Sequence, residues 1–162
     1  HVVKMANLAQ VVNVIAPIMT EPGGPAWRQT TFFPFATTAR LARGEAIRLE
    51  LEVPSHDTAR YGSVPIVDAV ATREEAGGAS AVFLVNRSPD AAVTVTVDVA
   101  ALGAQRVASA QTLHDDDPDA ANTLEHPDRV APRPNGTARL ADGVLTVELP
   151  PISWTAVELA RL

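Results

Sequence analysis

Valines at 93, 95, 97 and 99 alternate with Thr94, Thr96 and Asp98. A strict two-residue period of apolar and polar side chains fits an extended strand with one buried face, because a helix would spread the same residues around its axis. The period recurs at Ile47, Leu49, Leu51 and Val53, set between Arg48, Glu50 and Glu52. Strand-forming segments follow at 66–71, 79–86, 92–99, 107–113, 144–149 and 154–159. Turns rich in Gly, Pro, Asn and Asp separate them at 74–78, 86–90, 115–119 and 142–143. No sustained helical period intervenes, so the segment from Gly44 to Leu162 is predicted to be mainly β, an antiparallel sandwich.

The first 43 residues read differently. Met5, Leu8, Val12 and Ile15 recur at spacings of three and four, which predicts a helix over 2–16. Val3, Val11 and Val14 widen the stripe until only Lys4, Asn7, Gln10 and Asn13 remain polar, so that helix is expected to be buried on most sides. Pro17 ends it, and Glu-Pro-Gly-Gly-Pro at 21–25 forms a turn-rich loop. A second, short helix is predicted over 34–42, with Pro34 at its first position, Gly44 as a cap and Arg40 and Arg43 suiting the dipole of its last turn. Residues 114–135 are poor in apolar side chains and read as one long ordered loop. A boundary therefore falls near Arg43, dividing the chain into 1–43 and 44–162.

Composition removes several functions. The 162 residues contain no cysteine, so disulfides, thiol nucleophiles and Cys-ligated zinc are absent together. A net charge of -6 disfavours nucleic acid and anionic membranes, which are gripped chiefly by Lys and Arg. The longest apolar stretch, 11–19, is interrupted by Asn13 and Pro17, so neither a membrane span nor a secretory signal is visible and a cytoplasmic location is expected. The opening His-Val-Val-Lys-Met lacks an initiator methionine and reads as the middle of a longer protein. Only seven residues are aromatic, and four of them lie between Trp27 and Phe35, which argues against a broad stacking platform.

No catalytic or metal-binding pattern stands out. Asp115, Asp116, Asp117 and Asp119 are out of register for an EF-hand and read as a solvated acidic loop, with a calcium-holding sandwich loop as the alternative. His1, His56, His114 and His126 lack helical zinc spacing; His114 beside Asp115 is the only local pairing. Ser63 sits in no nucleophile elbow, Gly23-Gly24 lacks the lysine of a phosphate loop, and Glu50 and Glu52 are not singled out from other surface acids. These patterns assign no catalytic residue, no metal ligand and no cofactor, and leave calcium at the 115–119 loop open.

The most specific segment runs from Gln10 to Phe35, through Pro-Ile-Met-Thr-Glu-Pro-Gly-Gly-Pro-Ala-Trp-Arg-Gln-Thr-Thr-Phe-Phe-Pro-Phe. With Val-Pro-Ile-Val-Asp-Ala-Val at 64–70, Phe-Leu-Val-Asn-Arg-Ser at 83–88, Asn-Thr-Leu-Glu-His-Pro-Asp-Arg-Val at 122–130 and Leu-Pro-Pro-Ile-Ser-Trp at 149–154, the chain resembles the α-L-arabinofuranosidases of glycoside hydrolase family 51. The resemblance covers essentially the whole chain in five ordered matches.

The resemblance implies a (β/α)8 barrel followed by a jelly-roll-like β-sandwich. Residues 1–43 would be the last helix and connecting segment of that barrel, and 44–162 the C-terminal sandwich. The family is retaining, with two glutamates about 5 Å apart at the ends of barrel strands, both upstream of this chain. The expected partner of the parent enzyme is an arabinose-containing oligosaccharide or polysaccharide, and a homo-oligomer is expected. Gln10 matches a glutamine that contacts sugar hydroxyls in the family, and its amide has the paired donor and acceptor such a contact needs; a helix glutamine satisfied by its own surroundings is the other reading. Trp27, Phe32, Phe33 and Phe35 are expected to clamp the sandwich against the barrel, with Trp27 bordering the substrate cleft as the alternative. Trp154 is expected to plug the sandwich core. The sandwich is read as a structural and assembly domain, the competing reading being an independent carbohydrate-binding module.

Overall fold

A computed structural model describes residues 5–74 and 79–161. The chain begins with a hairpin of β1 (Ile18–Thr20) and β2 (Ala26–Arg28), followed by α1 (Phe32–Leu41) and β3 (Glu45–Arg48). A second hairpin, β4 (Ser55–Thr58) and β5 (Gly62–Pro65), leads into β6 (Val67–Arg73), β7 (Ser80–Asn86) and β8 (Val93–Asp98). A single 3-10 turn at Ala100–Leu102 precedes β9 (Arg106–Leu113), and β10 (Arg133–Pro134), β11 (Arg139–Ala141), β12 (Val144–Leu149) and β13 (Ser153–Ala160) complete the order.

The long strands form two antiparallel layers. One sheet has six strands in the order β10-β9-β13-β7-β6-β3, and the other has three, β11-β12-β8. Their facing sides follow from alternation. Val67 and Ala71 of β6, Val82 and Leu84 of β7, and Val157 and Leu159 of β13 meet Val95 and Val97 of β8 and Leu145, Val147 and Leu149 of β12, all buried in one cluster. The register Thr146↔Thr96 and Val147↔Val95 keeps the β8 valines on the same side as the β12 core residues.

The predicted strands at 66–71, 79–86, 92–99, 107–113, 144–149 and 154–159 are all present, within two residues at each end. The strand expected over 47–53 pairs with β6 only as far as Arg48. Leu49, Leu51 and Val53 remain half-buried and Glu50 and Glu52 exposed, so the alternation persists after the ladder stops. The short helix appears two residues earlier than predicted, leaving Pro34 in its first turn, where a missing N–H costs nothing. The turn at 74–78 falls largely outside the described residues.

Two expectations are corrected. The helix predicted over 2–16 does not form in 5–16, and residues 2–4 lie outside the described residues. Instead Asn13 organises a loop: its N–H donates to the Ile18 carbonyl at 2.8 Å, its Oδ1 accepts from the Thr20 N–H at 2.8 Å, and Val12 bridges Ile18. The reason is packing. Met5, Val14 and Ile15 are 78%, 78% and 82% exposed, and an amphipathic helix is stabilised mainly by burying its apolar face rather than by propensity. Trp154 does not plug the core. In β13 the core face belongs to Thr155, Val157 and Leu159, and Trp154 lies with Ala156 and Glu158 on the opposite face. Glu158, sharing the tryptophan's parity, is the sequence signal that marks this as the outer face.

Candidate functional site

The outer face of the large sheet carries a small second apolar cluster of Ala81, Phe83 and Ala156, with Trp154, Leu41 and Ala42 packed against it. Leu41 and Ala42 lie at the C-terminal end of α1, so the helix covers part of this face, and Arg40 approaches Glu158 at 4.0 Å. Phe83 and Trp154 stack with ring centroids 6.2 Å apart. Beyond α1 the face opens into a cleft of about 520 Å³, bordered by Thr30, Val85, Arg87, Leu113, the 114–120 loop and Trp154.

Asn122 is the buried tie between the hairpin and the long loop. Its Nδ2 donates to the carbonyls of Arg28 at 2.9 Å and Val130 at 3.0 Å, its Oδ1 accepts from the Val130 N–H at 2.8 Å, and its own carbonyl accepts the Trp27 indole N–H at 3.2 Å. Buried polar groups are stable only when paired, and this carboxamide is paired at both ends. Arg28 adds a second link. Its guanidinium lies 5.7 Å and 5.1 Å from the ring centres of Phe32 and Phe33 and pairs with Asp128 at 3.3 Å. Trp27, Phe32 and Phe33 thus clamp the hairpin, α1 and the 114–135 loop to one another, while Phe35 remains exposed.

The acidic run forms a defined corner. Arg129 Nη2 reaches Asp117 at 2.8 Å and Asp115 at 3.4 Å, and the Asp117 N–H donates to Asp115 Oδ1 at 3.0 Å. That backbone hydrogen bond, assisted by Arg129, holds the Asp115 carboxyl below the usual carboxylate range. The same two acids raise the Arg129 guanidinium. Glu125 is lowered too, chiefly by its own backbone N–H and then by the Thr123 hydroxyl. Among the described residues no three His, Asp or Glu side chains converge as a metal site. His114 pairs with Asp116 at 3.3 Å rather than with its neighbour Asp115.

Gln10 stands exposed on the irregular segment at a φ of 60°, and it is not among the residues bordering the Trp154 cleft. The structure therefore brings together Trp154, Arg87, His114 and two acids, none of which was assigned to a site from sequence, and leaves Gln10 apart. Composition hid this arrangement because a single correctly facing tryptophan needs no aromatic run.

The architecture defines a non-barrel β-sandwich domain with an N-terminal hairpin and helix attached. The family described as "Alpha-L-arabinofuranosidase C-terminal domain" matches residues 1–153. The chain belongs to that family. It is 48% identical over 158 residues to the "Intracellular exo-alpha-(1->5)-L-arabinofuranosidase" of Streptomyces lividans, covering 98% of this chain and 24% of that protein. It is 53% identical over 161 residues to the "Exo-alpha-(1->6)-L-arabinofuranosidase" of Bifidobacterium longum, covering 97% of this chain and 30% of that one. The chain thus spans less than a third of the length of these relatives. Among solved structures, a family 51 α-L-arabinofuranosidase from Bifidobacterium longum superposes with a TM-score of 0.88 at 46% identity, over 93% of this chain and 30% of that one.

Proposed function

We propose that this chain is the C-terminal part of a retaining α-L-arabinofuranosidase that releases terminal α-L-arabinofuranosyl residues from arabinose-containing oligosaccharides and polysaccharides. Residues 44–162 are its jelly-roll-like structural and assembly domain, and 1–43 are the last helix and connecting segment of a catalytic barrel. The observation that carries this reading is the mismatch between sequence and surroundings at 5–16, where Met5, Leu8, Val11, Val12, Val14 and Ile15 hold helical spacing yet are all exposed. A face of that kind needs a partner, and the relatives matched by this chain are more than three times its length.

In this reading the two catalytic glutamates lie upstream, no cofactor is required, and the chain alone is inactive. Gln10 contacts a sugar hydroxyl once 5–16 is helical. The parent is cytoplasmic, as the intracellular names of several relatives suggest, and a homo-oligomer. The test is to assay arabinose release by this chain alone and by the chain joined to its upstream coding sequence. Activity is expected only in the joined protein and is expected to fall when Gln10→Ala is introduced there. A joined protein with no arabinofuranosidase activity would overturn the proposal.

A further inference from the structure

Trp154, turned away from the core, is the floor of a cleft with the chemistry of a sugar site. Its ring rests on Phe83 at an interplanar angle of 29°, which fixes its orientation. Trp154 borders two openings, one of about 520 Å³ toward the 114–120 loop and one of about 240 Å³ toward Thr38, Asp68 and Val70. The larger lies within the roughly 300–1,000 Å³ span of small-molecule sites. Val85, Leu113 and Ile152 extend its apolar floor.

The rim is polar and held in place. Arg87 is oriented by Asp68 at 2.7 Å, and Asp115 and Asp117 are oriented by Arg129. Each carboxylate keeps acceptor capacity beyond the arginine bond. His114 borders the same cleft, and its Nδ1 is buried without a hydrogen-bond partner. A neutral sugar ring fits this set: its C–H face lies on the indole, and vicinal hydroxyls take the paired donors and acceptors of the guanidinium and carboxylates. Two acids against one arginine on the rim disfavour phosphorylated or carboxylated ligands.

We propose that this cleft binds the terminal ring of a neutral oligosaccharide, with Trp154 as the stacking platform. The site goes beyond the domain's structural role, since it requires neither a barrel nor Gln10, and its binding is measured without any assay of arabinose release. The two tryptophans give two indole N–H signals by NMR, and Trp27, held by Asn122, serves as the internal control. The 162-residue chain is titrated with arabinotriose, with xylotriose and with inorganic phosphate.

The Trp154 signal is expected to shift saturably at millimolar concentrations of at least one oligosaccharide, with Trp27 unmoved and phosphate without effect. Trp154→Ala, which removes the reporting indole and is therefore followed by isothermal titration calorimetry with the same oligosaccharide, is expected to weaken binding at least about tenfold. Because that substitution also removes the Phe83 contact, Arg87→Gln provides a second reading, shifting saturation of the Trp154 signal to several-fold higher sugar. A Trp154 signal unmoved by both oligosaccharides, a response confined to Trp27, or a response to phosphate instead would each overturn the proposal.

Discussion

Trp27 donates its indole N–H to the main-chain carbonyl of Asn122, 95 residues away in sequence, while the Asn122 side chain caps the Arg28 carbonyl next door. One buried residue thereby joins the β1–β2 hairpin to the 114–135 loop.

Replacing Asn122 by alanine leaves the Arg28 and Val130 backbone groups without partners. An orphaned buried polar group costs about 1–3 kcal/mol. Asn122→Ala is expected to lower stability by about that much per group left unsatisfied, and Trp27→Phe by less because it orphans one carbonyl where Asn122→Ala orphans three backbone groups. Urea unfolding of both variants measures the difference; a larger loss for Trp27→Phe than for Asn122→Ala would show that Trp27 and not Asn122 is the anchor.

The interlayer core predicts a larger effect. Leu84 and Leu145 have no exposed surface and lie on opposite sheets of the same cluster. Leu84→Ala and Leu145→Ala are each expected to cost about 2–5 kcal/mol. Chemical denaturation reads both, and a loss near that of a surface substitution would mean the sheets are not packed as described.

Gly44 links α1 to β3 with a φ of 74°, and a Cβ there would collide with the Arg73 carbonyl oxygen and come within 2.8 Å of the Glu74 Cα. Both obstacles are backbone and cannot swing aside. Gly44→Ala is expected to destabilise by more than about 1 kcal/mol, well beyond the Gly→Ala change at an open site. Gly136, with nothing near its added Cβ and no positive φ, is the matched control.

The acidic corner makes a pH-dependent contribution whose sign is fixed. Asp115 has a lowered carboxyl in the folded chain, so the unfolded state binds its proton first as pH falls. Its stabilisation is present near neutral pH and is lost as pH falls through the ordinary carboxylate range and below. Thermal melts of Arg129→Gln against the parent should therefore differ near neutrality and converge in acid. A gap that is constant with pH would remove the ion pairs from the account; Arg129 and Asp117 are solvent-exposed and Asp115 is only partly buried, so the gap is expected to be small.

What could be read from sequence follows the strength of local alternation. β8 and β12 carry valines and leucines every second residue, β13 does so at Val157 and Leu159, and all three form where the alternation predicts them. β4 and β5 carry no such signal, because Ser55, His56, Asp57 and Thr58 offer no apolar face; their hairpin rests on backbone pairing and on the Thr58 hydroxyl, which donates to the Gly62 carbonyl and accepts from the Tyr61 N–H across the turn. The spacing over 2–16 is helical, but spacing states only which face would be buried, and no described element covers it. For the candidate site the limit was different. Strand parity placed Trp154 beside Glu158, yet which loops close over that face depends on Asn122 and Arg129, long-range contacts that no local pattern encodes.

β13 lies between β7 and β9 in the six-stranded sheet and pairs with both along most of its length. During synthesis, neither flank of that sheet can be joined to the other until residues 153–160 have cleared the ribosome. Until then β7 and β9 each present a bare hydrogen-bonding edge, and closure of the six-stranded sheet waits for its last strand even though β3, β6 and β7 can pair without it. A stop codon before Ser153 would leave those edges permanently open.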